Sequence, residues 1–353
     1  MIMSSSDENR LPWVTRMSVS FLSFLTDTAR HSNGTVNRHF LRLFDLRSPP
    51  IPNPNSSSGS QSVSTSDVTI DPFRNLWFRL FVPACASSTA TNSLPVLLFF
   101  HGGGFSFLSP DSIVYDSFCR RMAHKLPAVV VSVNYRLSPE HHYPCQYDDG
   151  FDVLNFLDGD HKGVLPEAAD VSRCFLVGDS AGANLAHHVA VRVARRSNSS
   201  SNSAWKAVRV EGLMSIQPFF GGEERTEAEM RFPEGPVVTV ERTDWMWKAF
   251  LPEGASRDHP AANVSGPQAE DISGLKHFPR TVVIVGGMDP LQDYQKRYFH
   301  WLRSSFKDAR LLEYPKMIHA FYVFPELPES THLLTQLKDF IYPIYNCTSS
   351  PTH

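Results

Sequence analysis

The stretch Arg173-Cys174-Phe175-Leu176-Val177-Gly178-Asp179-Ser180-Ala181-Gly182 decides the fold. Its first half is an apolar run of strand length, and a run with helical apolar spacing begins at Ala181. A strand that turns at once into a helix needs small residues on both sides of the turn, because a side chain there would meet the neighbouring strand or helix. Gly178 and Gly182 supply them. The residue at the tip is held in a tight conformation with its side chain outward, and here it is a serine. G-x-S-x-G in a strand–turn–helix context is the nucleophile-elbow pattern. A Gly/Ser-rich turn also arises by chance, so the flanking strand and helix carry the reading.

Outward from this stretch the chain alternates. Residues 95–100, 128–133, 208–216, 281–285 and 309–314 are, like 173–177, apolar runs of strand length, the signature of strands covered on both faces. Helical segments are expected near 113–125, 147–158, 180–196, 291–305 and 330–345. The helix after Ser180 carries Ala181, Leu185, Val189 and Val193 on one stripe, with Arg192, Arg195 and Arg196 at its C-terminal end, where they complement the helix dipole. Residues 68–70 and 76–82 read as an antiparallel pair at a sheet edge. The alternation implies an α/β fold with a doubly wound, mostly parallel sheet.

The remaining segments are expected to decorate that sheet. Residues 1–10 are polar and expected to be disordered. From 12 to 30, Trp13, Val14, Met17, Phe21, Phe24 and Leu25 recur at helical spacing. They predict an amphipathic helix that docks by its apolar face; it lacks the Lys-rich polar face of a membrane-surface helix. A short element follows at 38–44. Residues 48–65, rich in Ser, Pro and Asn, read as a linker, and the Ser/Asn tract at 197–203 as a mobile surface loop. Residues 219–275, with Trp245, Trp247 and Phe250, are too long for a simple crossover and form a candidate lid together with the N-terminal helices. The expected organisation is lid helices at 1–47, a linker at 48–65, a catalytic domain at 66–345 with 219–275 as its cap insertion, and a tail at 346–353.

Composition narrows the function. The chain has 353 residues, 42% of them hydrophobic, and a formal net charge of -3. That balance favours neither nucleic acid nor an anionic membrane as partner. No run approaches the ~20 apolar residues needed to cross a bilayer, so no stable membrane insertion is expected. Cys85, Cys119, Cys145, Cys174 and Cys347 are odd in number with no close pairs, which argues for a reducing compartment. The cytoplasm, and the nucleus with it, is the expected location. No zinc signature is present, and the adjacent His187-His188 cannot offer both rings to one metal on a helix. No metal and no cofactor are expected, and no protein partner is named by the sequence.

Ser180 alone is a weak nucleophile and needs a base, an orienting acid and an oxyanion site. On such an elbow the acid and then the base follow in chain order, each after a strand. Asp289 is the first carboxylate after strand 281–285, and His319 is the histidine in reach of the end of strand 309–314. Asp289-Pro290 is also a plain helix start, and Asp293 is the competing acid one turn later. Order and placement together select Ser180, Asp289 and His319 as the catalytic set. His101-Gly102-Gly103-Gly104 follows strand 95–100. Three consecutive glycines let bare N–H groups approach a developing alkoxide, so Gly102 and Gly103, with the N–H of Ala181, are the expected oxyanion donors. The loop has neither nucleotide-binding glycine pattern. Phe105, Phe107, Tyr115, Trp247 and Tyr322 are the expected walls of an apolar pocket.

His101-Gly102-Gly103-Gly104 with Gly178-Asp179-Ser180-Ala181-Gly182 resembles the hormone-sensitive-lipase-like family of α/β-hydrolases. The likeness continues through Asn134-Tyr135-Arg136-Leu137-Ser138-Pro139-Glu140 and Tyr147-Asp148-Asp149-Gly150. The N-terminal part, from Trp13 through Asn33-Gly34-Thr35-Val36-Asn37-Arg38, is similar to plant carboxylesterases near the gibberellin-receptor branch. The resemblance implies an α/β-hydrolase fold and, in the receptors, an N-terminal lid over a hormone and an aliphatic residue in place of the catalytic histidine. This chain keeps His319. A serine carboxylesterase acting on small to medium esters is therefore expected, with a gibberellin-type receptor, or a lyase or dehydratase on the same scaffold, as the alternatives.

Overall fold

The computed structural model describes residues 11–54, 62–87, 93–159, 161–198 and 205–343. The expectations for 1–10, 199–203 and 346–353, and for residues 55–61 of the linker, lie outside the described residues. Among the described residues eight strands form one sheet: β1 (Val63–Asp71), β2 (Leu76–Pro83), β3 (Leu94–Phe100), β4 (Val129–Asn134), β5 (Ala169–Asp179), β6 (Val210–Ile216), β7 (Arg280–Gly286) and β8 (Ala309–Tyr314). Their order is β1-β2-β4-β3-β5-β6-β7-β8. β1 and β2 are antiparallel, β2 meets β4 antiparallel, and every remaining pair is parallel. This is the doubly wound α/β-hydrolase sheet with an antiparallel edge. β1 starts at Val63, inside the segment read as linker, because Val63 and Thr65 bury their side chains.

Alternation along the central strands divides the core. Val96, Leu98 and Phe100 of β3 face one layer, which includes Leu154 and Leu157 of α4 (Cys145–Gly159) and Leu185 and Val189 of α5 (Ala181–Asn198). Leu97 and Phe99 face the other, which includes Phe118 and Met122 of α3 (Ile113–Lys125) and Leu333 and Leu337 of α9 (Pro328–Ile341). α8 (Gln292–Ser304) covers β7 and β8 with Tyr298 and Leu302. α5 runs to Asn198, so Ser197 and Asn198 are its last turn and not loop. Among the described residues, Cys85, Cys119, Cys145 and Cys174 form no disulfide.

α1 (Trp13–Ala29) and α2 (Arg38–Phe44) form as expected, but α1 does not bury one continuous apolar face. Six of its apolar residues make two stripes about 80° apart. Val14, Phe21 and Leu25 turn towards a cavity, whereas Trp13 (74% exposed) and Met17 (65%) point outward with Phe24. Polar contacts dock the segment. Arg242 of α7 (Val240–Phe250) pairs with Asp27 at 2.6 Å, and Arg38 pairs with Glu140 at 2.6 Å while also donating to the carbonyls of Ser106 and Ser138. Among the described residues, no helix is long and apolar enough to cross a membrane.

Candidate active site

The chain leaves β3 for β4 on one side and returns to β5 on the other, so the carboxyl ends of β3 and β5 flank a crevice where the winding reverses. Ser180 sits there with φ 51°, a left-handed conformation rare for a side-chain-bearing residue. Hydrogen bonds hold it: its N–H donates to the Ile216 carbonyl at 2.9 Å, and its carbonyl accepts from Phe219 at 2.9 Å. A Cβ on Gly182 would lie 1.9 Å from the Phe100 carbonyl oxygen, and one on Gly178 would lie 2.2 Å from the Gly182 oxygen. The elbow glycines are therefore required by close approach of backbone to backbone.

Asp289 follows β7 and is fully buried, and His319 follows β8 and is nearly so. Asp289 Oδ2 and His319 Nδ1 are 2.7 Å apart. The carboxylate also accepts from Gln217 Nε2 (3.1 Å), Gln295 Nε2 (2.9 Å) and the Leu291 N–H (2.9 Å). Asp293, the competing acid, accepts instead from the Ala228 N–H at the start of α6 (Glu227–Arg231). Gln217 had no role in the sequence reading. It ties the two loops together: its Nε2 reaches Asp289 and the Ile318 carbonyl, and its Oε1 accepts from the Ala320 N–H at 2.9 Å. Its place at the end of β6, between the strands that carry Ser180 and Asp289, was the available signal.

The glycine loop departs from expectation at one position. The Gly102 N–H is already engaged, donating to Asp179 Oδ1 (2.9 Å) and to the Tyr115 hydroxyl (2.7 Å). Gly103 and Gly104 line the cavity beside Ser180. Their N–H groups and that of Ala181 have no hydrogen-bond acceptor among the described residues. Gly103 has φ 102°, and a Cβ there would strike the Phe107 carbonyl oxygen at 2.3 Å, so both conformation and space demand glycine. His101 stacks on Tyr135 at 4.4 Å, with Nδ1 against the Gly102 carbonyl. Burial lowers its pKa to about 4, so the ring is a neutral prop for the loop.

One cavity of about 840 Å³ is bordered by Ser180, His319, Gly103 and Gly104 at its base and reaches Phe21 of α1 and Leu41 of α2. Phe107, Tyr115 and Tyr322 line it. Phe105 and Trp247 do not: Phe105 stacks on Phe250 at 3.8 Å and Trp247 on Phe219 at 4.0 Å, both inside the core. Trp247 and Phe250 anchor the cap insertion in the core, and Phe219, Val237, Thr243 and Met246 border the cavity. Among the described residues no cluster of metal-ligating side chains occurs.

Residues 97–323 match a protein family characterised by the alpha/beta hydrolase fold. The chain is 36% identical to the gibberellin receptor GID1C of Arabidopsis thaliana, across 93% of each chain. It is 34% identical to carboxylesterase 20 of the same plant, across 75% of this chain and 79% of that one. An ester hydrolase from the Lake Arreo metagenome, EH1AB1, superposes with a TM-score of 0.70 at 25% identity, over 94% of this chain and 98% of the other.

Proposed function

From its membership of the alpha/beta hydrolase fold family, among carboxylesterase-like relatives, we propose that this chain is a serine carboxylesterase working through an acyl-enzyme. The observation that carries the reading is the 2.7 Å Asp289–His319 contact opening on the same cavity as Ser180, which is held on its strained elbow. Asp289 fixes the imidazole through Nδ1, leaving Nε2 to take the Ser180 proton as Oγ attacks the ester carbonyl. The free N–H groups of Gly103, Gly104 and Ala181 hold the oxyanion; Gly102 is not among the donors. As the tetrahedral intermediate collapses, His319 returns its proton to the leaving alcohol. It then activates a water that releases the acid and restores Ser180.

The cavity lies within the ~300–1,000 Å³ usual for small-molecule sites and its walls are mainly apolar, which supports small to medium apolar esters as substrates. α1, α2 and the cap helix α7 form the roof, and we assign them as the lid. Turnover of p-nitrophenyl acetate and labelling of Ser180 by a serine-directed organophosphate test the reading. Absence of both in the purified chain would sink it.

A second reading, a small-molecule receptor, is supported by the full-length likeness to a gibberellin receptor together with the docked N-terminal helices. Calorimetric titration with a gibberellin tests it, and micromolar or tighter binding by Ser180→Ala protein would favour it.

A further inference from the structure

Asp179 stands immediately before the nucleophile and takes no part in the proton transfers above, yet it is buried and borders the cavity. Every hydrogen bond to its carboxylate among the described residues comes from the site. Oδ1 accepts from the Gly102 N–H at 2.9 Å. Oδ2 accepts from the Tyr115 hydroxyl at 2.8 Å and the Tyr322 hydroxyl at 2.7 Å. No arginine or lysine pairs with it among the described residues. A buried carboxylate without a cation is costly, and burial pushes its pKa up to about 6 against the pull of these donors. Such a group is retained where its geometry does something a neutral core would not.

The three donors come from three segments that converge on this carboxylate: the glycine loop after β3, helix α3, and the 3-10 turn Phe321–Val323 just after His319. A Cβ on Gly102 would lie 2.7 Å from both Asp179 Oδ2 and the Tyr115 hydroxyl. The first glycine of the loop is thus bare so that its peptide can press against this carboxylate. The next two residues, Gly103 and Gly104, border the cavity with N–H groups that have no acceptor among the described residues. Fixing the orientation of Gly102 fixes the plane from which they project, and the same carboxylate reaches the His319 loop through Tyr322.

We infer that Asp179 is a positioning residue that clamps the oxyanion loop to the nucleophile elbow and the histidine loop, with Tyr115 and Tyr322 as the jaws of the clamp. The assignment rests on the esterase reading and extends it. It predicts a loss that falls on transition-state binding and leaves ground-state binding alone.

The test compares full-length wild type with D179N, D179A and the Y115F/Y322F double variant. Steady-state rates on p-nitrophenyl butyrate are expressed per site titrated by organophosphate. D179N keeps one carbonyl oxygen for what two carboxylate oxygens held, so kcat should fall about 100-fold, and D179A should fall further. KM should stay within about threefold, and affinity for a trifluoromethyl ketone, which forms a hemiketal on serine, should weaken in step with kcat/KM. The melting temperature of D179N at pH 7.5 should not drop, since an uncompensated buried charge has been removed. The double variant, which leaves the carboxylate in place, should lose about 10-fold in kcat with the same unchanged KM, and it carries the test if neither Asp179 variant folds. The assignment is overturned if D179N retains kcat within threefold, or if its loss appears in KM or in the number of titratable sites. A wild type that neither turns over the ester nor labels would remove the esterase reading and this assignment together.

Discussion

The base and the roof of the cavity are built on different principles. At the base, the elbow, the glycine loop and the Asp289 and His319 loops are fixed by backbone contacts and buried hydrogen bonds, such as Gly182 against Phe100 and Gln217 against three neighbours. At the roof, α1 and α2 bury few apolar residues and are tied by ion pairs with an exposed partner: Arg242–Asp27, Arg30–Glu241 and Arg38–Glu140. Backbone-determined geometry is stiff and intolerant, whereas partly exposed pairs contribute little each and exchange easily. On the esterase reading, pre-organisation is concentrated where charge would develop, and adaptability where a substrate's apolar parts would enter.

The sharpest way to break this comparison is at the base. Ser180→Ala or His319→Ala should lower kcat by on the order of 10⁴- to 10⁶-fold with little change in stability, since groups that act as a unit fail as a unit. Ester turnover and thermal melts check both halves. Gly182→Ala should fail on stability instead. Its methyl has no place beside the Phe100 carbonyl, and a loss of at least ~3 kcal/mol is expected in urea unfolding.

Acid should reveal charges buried around the base. Burial lowers the pKa of His101 to about 4 and that of His188 to about 3, from an ordinary 6.5. Below pH 6.5 the unfolded chain takes up these protons first, so stability present above 6.5 is lost as pH falls, on the order of 2–3 kcal/mol per histidine by pH 4.5. Asp179 acts in the opposite sense. Its folded pKa of about 6 exceeds the ordinary 3.8, so the folded state takes its proton first and gains stability as pH falls from 6 towards 4. Wild type should therefore destabilise below pH 6.5, and D179N, which lacks the opposing gain, should do so more steeply. Denaturant unfolding across pH 7.5–4.5 gives both slopes.

How much was legible in the sequence follows the same division. The sheet was readable because strands covered on both faces must be apolar throughout, and the meeting of Asp289 with His319 because chain order and strand ends fix which carboxylate and histidine face each other. Gln217 was marked only by its place at the end of β6, since one amide bracing two distant loops leaves no other local pattern. Gly102 looked like an oxyanion donor because three adjacent glycines are indistinguishable until the partner of each N–H is known. Phe105 and Trp247 have the composition of a pocket wall, but only tertiary packing decides whether an aromatic ring faces a cavity or another ring. The two stripes of α1 escaped notice for a related reason: periodicity counts apolar residues without saying which face finds a partner.

Gln217→Ala tests the bracing at moderate size. With the Asp289 and His319 loops no longer joined, kcat should drop about 10- to 100-fold while KM holds, because a small misplacement of the base is amplified in the rate. Equal losses in kcat and in organophosphate labelling rate would support misplacement of His319, whereas a fall only in the fraction of labelled protein would point to partial unfolding.

The roof should respond least, and differently. Arg38 joins α2 to Glu140 and to the carbonyls of Ser106 and Ser138, and it lines the cavity. Arg38→Ala should raise KM several-fold for long acyl esters, leave kcat within about twofold, and cost about 1 kcal/mol of stability. Glu241→Ala breaks the pair with Arg30, whose acidic partner is 83% exposed, and should change neither constant. If Arg38→Ala instead lowers kcat on acetyl and long-chain esters alike, the roof takes part in the chemical step and the division between a stiff base and an adaptable roof fails. If KM rises only for the longer esters, α2 is a wall for the distal part of the substrate, and chain-length preference is set there and not at the oxyanion loop.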